Sequence, residues 1–243
     1  MNSRTYVIVT AYNEADRIGA TLDALSRAFG PARVLLADDG SSDETVRIAA
    51  ERGAHVVASA RTVGKGEAAT LAAREALDNA RAELGDLGRA VFVLCDGDLG
   101  ESAAKLDALV QVVERGEAEL AVAAFSARVG GGFGIALGFA RWAIRRRCGL
   151  QTRAPISGQR ALSDAALQDV LPFAHGFGME VGMTIDAVRS GHRVVEVELD
   201  LVHRASGRTI GGFAHRGAQL LDFARVYLAR GGVAGRARRA RRG

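Results

Sequence analysis

Cysteine is scarce in this sequence, and long apolar runs are missing from it. Only Cys95 and Cys148 occur, one in a predicted buried strand and one after an arginine run, so neither a disulfide framework nor a cysteine zinc site is indicated. The longest apolar stretch, Val129 to Ala140, is rich in glycine and falls short of the roughly 20 residues that a membrane-spanning helix needs. We therefore expect no transmembrane segment and a reducing, cytoplasmic location.

Acidic residues are missing from the end of the chain, and a signal-peptide pattern is missing from its start. The formal net charge of +4 is concentrated after Asp222, where arginines occur without any Asp or Glu. We favour a solvated tail over contact with anionic lipid, and we expect no nucleic-acid partner. An alternating, strand-like run from Tyr6 stands where the charged and apolar regions of a signal peptide would lie, so secretion is not expected.

The sequence does contain enough apolar residues for one sizeable core, arranged as alternating strands and helices. Hydrophobic residues make up 48% of the 243 positions, which fits a single α/β domain. Predicted strands cover Tyr6–Thr10, Arg33–Ala37, Val56–Ala58 and Ala90–Cys95. An apolar stripe at Ile18, Leu22, Leu25 and Phe29 predicts the first helix. Two further helices are predicted over Ser41–Gly53 and Gly66–Ala80. This alternation predicts a mostly parallel sheet with helices on both faces.

The alternation becomes less regular in the second half of the chain. A predicted helix over Ser102–Arg115 and a strand over Leu120–Ala123 precede a soft boundary near residue 126, where glycines cluster. The elements predicted beyond it are a helix over Phe139–Arg147, a loop over Pro155–Arg160, a helix over Met179–Ser190, a strand over Arg193–Leu201 and a last helix from about Arg216. The chain therefore divides into residues 1–125, 126–215 and 216–243.

Polar clusters follow three of the predicted strands, at the ends where ligands bind in open parallel sheets. The clusters are Ala11–Glu14, Asp38–Ser41 and Asp96–Asp98. The third is the most specific, because two carboxylates one residue apart at the end of a buried strand can share a hard divalent cation. A solvated turn is the alternative, and we favour it less because two companion clusters lie at neighbouring strand ends.

The Asp38–Ser41 and Gly64–Gly66 segments allow two interpretations each. Ser41 and Glu44 have the spacing of a capping box, which predicts a turn followed by a helix cap. That role leaves the two carboxylates before it free to accept hydrogen bonds from a base N–H and a ribose hydroxyl. Gly64–Gly66 fits either a flexible loop or a diphosphate contact, in which glycines admit the backbone and Lys65 supplies a point charge.

One histidine and a set of arginines carry further hypotheses. His203 follows the last predicted strand and could fold back onto Asp96–Asp98, where an imidazole with carboxylates and phosphate oxygens suits Mn²⁺ at least as well as Mg²⁺. A lone histidine is more often structural, and from the residues alone we favour that role for His203. The arginines form either a solvated helix face or a pocket for an anionic acceptor, since the guanidinium fork matches phosphate and carboxylate. They are Arg141, Arg145, Arg146, Arg147, Arg153, Arg160, Arg204 and Arg208.

Four segments together resemble family 2 and related GT-A glycosyltransferases. They are VIVTAYNE (Val7–Glu14), LADDGSSDET (Leu36–Thr45), GKGEA (Gly64–Ala68) and LCDGDL (Leu94–Leu99). Later segments look like two branches of that group, the glucosyl-3-phosphoglycerate synthases and the dolichyl-phosphate sugar synthases. These segments are PISGQRAL (Pro155–Leu162), GFGMEVG (Gly176–Gly182) and VHRASGR (Val202–Arg208). The resemblance implies a GT-A (Rossmann-like) fold and sugar transfer from a nucleotide diphosphate donor, with UDP preferred and Mg²⁺ or Mn²⁺ as cofactor.

The resemblance also implies a role for each matching residue. Residues 1–125 become the nucleotide-sugar-binding half, residues 126–215 the acceptor-binding half, and residues 216–243 a C-terminal helix with a basic tail. Donor contacts are implied for Ala11, Tyr12, Glu14, Asp39, Gly64, Lys65, Asp96 and Gly97, and acceptor contacts for Gly158, Gln159, Arg160 and Arg208. The implied metal ligands are Asp98 and His203, and the implied catalytic residues are Asp98, His203 and Glu180.

Two other enzymes stay open beside a transferase that acts on a small anionic acceptor. One is a polyprenyl-phosphate sugar synthase, in which apolar residues from Phe133 to Trp142 lie on a membrane surface while arginines hold the lipid phosphate. The other is a sugar nucleotidyltransferase, which also uses a nucleotide-binding sheet and a metal. Three other possibilities stay open as well. They are a catalytically silent binding module, peripheral membrane contact with a membrane-associated location, and a homodimer.

Overall fold

Seven strands form one sheet in the computed structural model, which describes residues 4–30, 33–85, 88, 90–125, 134–201 and 221–230. The strands are β1 (Thr5–Ala11), β2 (Val34–Asp38), β3 (His55–Ala58), β4 (Val91–Asp96), β5 (Leu120–Phe125), β6 (Arg160–Ser163) and β7 (Val194–Leu199). Their order in the sheet is β3-β2-β1-β4-β6-β5-β7. The pairs that β6 makes with β4 and β5 are antiparallel, and the other described pairs are parallel.

Helices cover both faces of this sheet, as predicted. They are α1 (Ala15–Phe29), α2 (Thr45–Glu51), α3 (Lys65–Leu84), α4 (Asp107–Glu114), α5 (Gly134–Cys148), α6 (Asp164–Val170), α7 (Met179–Arg189) and α8, over residues 221–229. Two 3-10 helices cover Gly100–Leu106 and Gly176–Gly178. Helices α1 and α4 pack on Val9 and Val93, whereas α3 and α7 pack on the opposite face, on Ile8 and Phe92.

The central strands show why the sheet needs two layers of helices. Every residue of β1 is buried, and so is β4 from Val91 to Cys95. Their nearly continuous apolar sequences are typical of strands covered on both faces. The predicted stripe of α1 supplies part of that cover, because Ile18, Leu22 and Leu25 are all buried there. Fully burying a side chain of this size contributes about 1.5–3 kcal/mol.

The start of α2 differs from the prediction. The helix begins at Thr45, and the Asp43 carboxylate accepts a hydrogen bond from the Thr45 N–H at 3.0 Å. Ser41, the predicted cap, instead accepts a hydrogen bond through its hydroxyl oxygen from the Asn13 N–H at 2.9 Å. The capping-box prediction is therefore wrong, because the loop after β1 recruits the serine through a tertiary contact.

Two short elements lie where no helix or strand is predicted. Strand β6 and helix α6 follow the predicted loop, and Ser163 caps α6 by accepting a hydrogen bond from the Ala166 N–H at 3.2 Å. The predicted helix Ser102–Arg115 is divided into the 3-10 helix Gly100–Leu106 and α4. The predicted boundary near residue 126 and the predicted helix start near Arg216 lie outside the described residues.

Among the described residues, no helix combines the length and the apolar content that crossing a bilayer requires.

Candidate active site

The carboxyl ends of β1, β2 and β4 meet at one edge of the sheet, and the loop before β6 reaches the same edge. Because β6 is antiparallel, its first residue, Arg160, pairs with Leu94 near the end of β4. The preceding residues therefore arrive beside Asp96, although 63 positions separate Gln159 from Asp96 in the sequence. This edge brings together residues that were assigned to both the donor and the acceptor.

Lys65, the first residue of α3, bridges two carboxylates at this edge. Its Nζ donates hydrogen bonds to Asp96 Oδ1 at 2.7 Å and to Glu180 Oε1 at 2.8 Å. Burial alone would lower the pKa of Lys65, but the charges of Asp96 and Glu180 raise it above its ordinary value. The ammonium group thus stays charged while it links α3, β4 and α7.

Asp96 accepts hydrogen bonds from three side chains. Besides Lys65, Gln159 Nε2 donates to Asp96 Oδ2 at 2.6 Å and Thr10 Oγ1 donates to Asp96 Oδ1 at 3.2 Å. Burial would raise the pKa of Asp96, but Lys65 and these hydrogen bonds lower it below its ordinary value. A Cβ added to Gly158 would lie 2.5 Å from Asp96 Oδ2, so the close approach requires glycine there.

Arg160 lies beneath this loop. Its side chain is fully buried and donates to the Ser157 carbonyl at 2.8 Å and to Thr184 Oγ1 at 2.9 Å. Burial lowers the pKa of Arg160 to about 10. The guanidinium therefore holds the loop against α7, and the predicted contact with an acceptor would require the loop to open.

Asp39 holds the glycine-lysine loop. Its Oδ1 accepts hydrogen bonds from the Val63 N–H at 2.7 Å and the Gly64 N–H at 2.8 Å. Gly64 has a φ of 103°, a conformation that L side chains rarely adopt. Asp38 acts locally, since its Oδ2 accepts a hydrogen bond from the Gly40 N–H at 3.1 Å. The predicted nucleoside and phosphate segments are thus physically joined.

Residues after β1 and β4 frame the opening of the site. Ala11 is buried at the end of β1, whereas Tyr12 is 51% exposed. Glu14 precedes α1, and its N–H donates to Thr45 Oγ1 at 2.8 Å. Gly97 fits closely beneath them, because an added Cβ would lie 3.3 Å from Ala11 Cβ. Tyr12 is thus exposed directly after the tightly packed end of β1.

Asp98 is half-buried on the turn after β4. Its predicted partner in the metal site, His203, lies outside the described residues, as does Arg208. Within the described ranges, no group of three His, Cys, Asp or Glu side chains is placed to hold a metal ion. The Asp98 carboxylate is a hard oxygen ligand that suits Mg²⁺ or Mn²⁺ and fits one position of such a site.

Three polar residues that the motifs do not single out also shape the site. Thr10 donates a hydrogen bond to Asp96, and Thr184 accepts a hydrogen bond from Arg160. Glu196 of β7 accepts hydrogen bonds from the Arg153 and Ala154 N–H groups, each at 2.9 Å. The available signal was a polar residue within a predicted strand or helix, which by itself does not identify its partner.

The sheet is mostly parallel and carries acidic loops at the carboxyl ends of β1, β2 and β4. Solved structures match this fold over 97% of the chain, and together these features define a glycosyltransferase of the GT-A type. The model of glycosyl transferase family 2 matches residues 6–170, and the chain belongs to this family. The predicted fold and enzyme class are thereby confirmed. The family gives no support to the nucleotidyltransferase or to the silent binding module.

Relatives of two kinds resemble the chain. The undecaprenyl-phosphate mannosyltransferase of Micrococcus luteus is 29% identical over 222 residues, which cover 85% of this chain and 86% of the relative. Glucosyl-3-phosphoglycerate synthase of Mycobacterium tuberculosis, crystallised with Mg²⁺ and UDP, is 26% identical with a TM-score of 0.72, covering 97% of this chain and 82% of that chain. Its complex with Mn²⁺, UDP and glucosyl-3-phosphoglycerate gives 25% identity, a TM-score of 0.70 and the same coverage.

Proposed function

We propose that this glycosyltransferase moves a sugar from a UDP-sugar to a small anionic acceptor, with a divalent cation at the donor diphosphate. One observation carries the proposal: the Asp96 carboxylate accepts hydrogen bonds from Lys65 of the donor half and from Gln159 of the acceptor loop. A donor and an acceptor held by these two segments would meet at Asp96. The synthase of similar fold binds UDP and glucosyl-3-phosphoglycerate together, which supports this choice.

Tyr12, Glu14 and Asp39 are the residues proposed for the nucleoside. The exposed ring of Tyr12 offers an apolar face on which a base can stack. Asp39 uses one carboxylate oxygen to hold the loop at Gly64, and the other is proposed to accept a hydrogen bond from the nucleoside. Nucleoside binding would then be coupled to the position of Lys65, which follows Gly64 directly.

Charge on the leaving diphosphate would be offset by Lys65 and by the cation site. Lys65 stays protonated because Asp96 and Glu180 raise its pKa, so it is a fixed positive charge near the donor. Asp98 and His203 are proposed to hold Mg²⁺ or Mn²⁺, which when bound supplies Lewis-acid stabilisation of the diphosphate. The metal requirement is therefore expected to act through Asp98.

Glu180 and the loop before β6 are proposed to face the sugar and the acceptor. Glu180 is buried beside Lys65, where its carboxylate can stabilise positive charge that develops on the sugar carbon. Gly158 and Gln159 lie against Asp96 and form the wall nearest to the donor. Arg208 is proposed to contribute a guanidinium for the anionic group of the acceptor.

Product formation from UDP-glucose, 3-phosphoglycerate and Mn²⁺ tests the proposal directly. Separation by charge detects a glucosylated acid, and UDP release without that product measures donor hydrolysis. We expect transfer by the wild-type protein and a loss of at least about 100-fold in Asp98→Asn, since electrostatic stabilisation of developing charge is typically worth this much. Asp78→Asn, a change at a surface aspartate, is the matched control. Absence of both transfer and hydrolysis with UDP-glucose would contradict the proposal.

One surface favours a second acceptor, a polyprenyl phosphate held at a membrane. Trp142 of α5 is 45% exposed and packs on Tyr227 of α8, with 4.8 Å between the ring centroids. Arg141, Arg145 and Arg146 are exposed on α5, which has no acidic residue. An indole beside arginines suits the headgroup region of an anionic bilayer. The Micrococcus luteus relative is named for a polyprenyl-phosphate acceptor.

Flotation with phosphatidylglycerol vesicles tests this second candidate. Trp142→Ser is expected to reduce the bound fraction, whereas Leu71→Ser, at a position on α3 that is also 45% exposed, is expected to leave it unchanged. Equal flotation of both variants, or no flotation of the wild-type protein, would eliminate the membrane candidate and leave the small acceptor.

A further inference from the structure

Thr21 is a polar residue on the apolar face of α1. It is 0% exposed and lies among Ile18, Leu22 and Leu25 on the buried stripe of the helix. Threonine is less favourable than leucine or alanine inside a helix, because its branched side chain loses rotational freedom there. A buried hydroxyl is also costly unless it forms hydrogen bonds. A threonine at this position therefore needs a hydrogen-bond partner, either in its own helix or in a neighbouring segment.

That partner is the turn that carries Asp98. Thr21 Oγ1 donates to the Gly97 carbonyl at 2.8 Å and accepts from the Gly100 N–H at 2.8 Å. The carbonyl of Arg17, one helical turn earlier, lies farther away at 3.4 Å, so the tertiary hydrogen bond has the better geometry. One hydroxyl thus fixes the backbone both before and after Asp98.

The rest of the turn has little freedom to adjust. The Gly97 N–H donates to the Thr10 carbonyl at 3.0 Å, which ties the start of the turn to β1. Leu99 is 2% exposed, and its carbonyl accepts a hydrogen bond from Ser102 Oγ at 2.7 Å. A Cβ added to Gly97 would lie 3.2 Å from Ile18 Cδ1 of α1. The backbone of the turn that carries Asp98 is thus held by contacts with α1, β1 and the following 3-10 helix.

We propose that Thr21 is a positioning residue for cation binding, acting through Gly97 and Gly100 to hold the Asp98 carboxylate ready for the cation of the donor complex. The inference rests on the proposed function, in which Asp98 is a metal ligand. Groups that orient a metal ligand typically change metal affinity by about 10- to 100-fold when they are removed. The hydroxyl of Thr21, and not its bulk, is the part of the side chain that carries this role.

Three variants of the full chain separate positioning from a general contribution to stability. Thr21→Val removes the hydroxyl and keeps the shape, and Thr21→Ser keeps the hydroxyl. Ser163→Ala is the matched control, because it removes a hydroxyl that caps α6 at the opposite edge of the sheet, where Ser163 pairs with Val91 at the start of β4. Electron paramagnetic resonance of free Mn²⁺ measures Mn²⁺ binding in saturating UDP, and urea unfolding is followed on the same samples.

We expect Thr21→Val to bind Mn²⁺ about 10- to 100-fold more weakly than the wild-type protein. Thr21→Ser should bind close to wild type, and Ser163→Ala should lose stability while keeping its affinity for Mn²⁺. Wild-type affinity in a Thr21→Val protein that is less stable would make Thr21 merely structural and overturn the inference. Thr21→Ala replaces Thr21→Val if the valine variant does not fold, with the same expected outcomes.

Asp98→Asn separates this inference from the proposed function. Loss of UDP-dependent Mn²⁺ binding in Asp98→Asn, together with unchanged binding in Thr21→Val, would overturn the role of Thr21 alone. Absence of UDP-dependent Mn²⁺ binding in the wild-type protein would overturn the proposed function and the role of Thr21 with it.

Discussion

The chain has two lysines, and their surroundings differ sharply. Lys65 lies between Asp96 and Glu180 with 29% of its side chain exposed, and the Glu180 side chain is 7% exposed. Lys105 pairs with Asp200 at the surface, where the two side chains are 48% and 78% exposed. Ion pairs at such exposed positions contribute about 0–1 kcal/mol. The part-buried contacts of Lys65 are worth more, because removing the lysine would leave two carboxylates close together without the ammonium group that bridges them.

Lys65→Met is expected to lower the free energy of unfolding by at least about 1.5 kcal/mol, the low end for hydrogen bonds to charged groups. Lys65 lowers the pKa of Asp96 in the folded protein. The stabilisation by this ion pair is therefore complete above the ordinary carboxyl pKa of 3.8, and it is lost as the pH falls through the lower pKa that Asp96 has in the folded protein. The raised pKa of Lys65 means that the contribution persists up to its ordinary value of 10.5. Urea unfolding at pH 7 and pH 3 measures the difference.

Lys105→Met is the matched control for this prediction, with an expected change of less than about 1 kcal/mol. A Lys65→Met protein as stable as Lys105→Met at pH 7 would contradict the larger contribution expected from the ion pairs of Lys65. A stability difference that stays constant between pH 7 and pH 3 would show that Asp96 is not its source.

At the scale of single residues, the sequence predicts which side chains share the site better than it predicts how they contact one another. Lys65 and Asp96 belong to motifs that predict a common donor site, but the contact of Asp96 with Gln159 spans 63 positions. Arg160 shows the limit most clearly, because an arginine is expected at a surface. Its burial depends on β6 running antiparallel, and a strand of four residues is too short for its pattern to predict that pairing.

Two helical glycines show how differently elements tolerate a side chain. A Cβ added to Gly66, in the first turn of α3, would overlap the backbone oxygen of Ala174. A Cβ added to Gly138, in the middle of α5, would meet nothing within 4 Å in the described part of the chain. Helix α3 therefore depends on glycine to approach the segment before α7, whereas α5 has open space at that point.

Gly66→Ala is expected to destabilise the protein by about 1–3 kcal/mol or more, as overpacking against backbone does. Gly138→Ala is expected to stabilise it by about 0.5–1 kcal/mol, because alanine is the better helix former. Urea unfolding of both variants measures the two effects. Equal stabilities would show that α3 can move away from Ala174 at no cost.

Long periodic elements are predictable, and short ones are not. Helix α1 has a clear apolar stripe and ends at Phe29, as predicted. Strand β6 and helix α6 have only 4 and 7 residues, so they offer too little repetition for a pattern to show. The prediction of the start of α2 was wrong for a different reason. Asp43 and Ser41 are both residue types that cap helices well, and the loop after β1 forms a hydrogen bond with Ser41. Tertiary contacts decide such local alternatives.

At the scale of the whole molecule, donor binding should appear as added stability. Ligand that binds only the folded state at a hundred times its Kd adds about 2.7 kcal/mol, and for a protein of 243 residues this corresponds to a rise of about 5–10 °C in Tm. We expect this shift with UDP and Mn²⁺, and a smaller one with UDP and EDTA. Differential scanning fluorimetry measures both.

GDP and Asp98→Asn are the controls for this shift. A larger rise with GDP than with UDP would contradict the proposed base. A rise that is the same in Asp98→Asn and in the wild-type protein would remove the carboxylate of Asp98 from the cation site.

The position of β6 also constrains the order in which a growing chain can assemble. Strand β6 lies between β4 and β5, although the ribosome makes it after both. Strands β1 to β4 can therefore pair as soon as they emerge, whereas β5 must wait for Arg160–Ser163 before it can join them. Until then a nascent chain presents β5, an apolar strand, with both edges open, which is the kind of segment that aggregates. Synthesis past β6, and not the completion of β5, is therefore the event that joins β5 to the sheet, and β7 then covers its other edge.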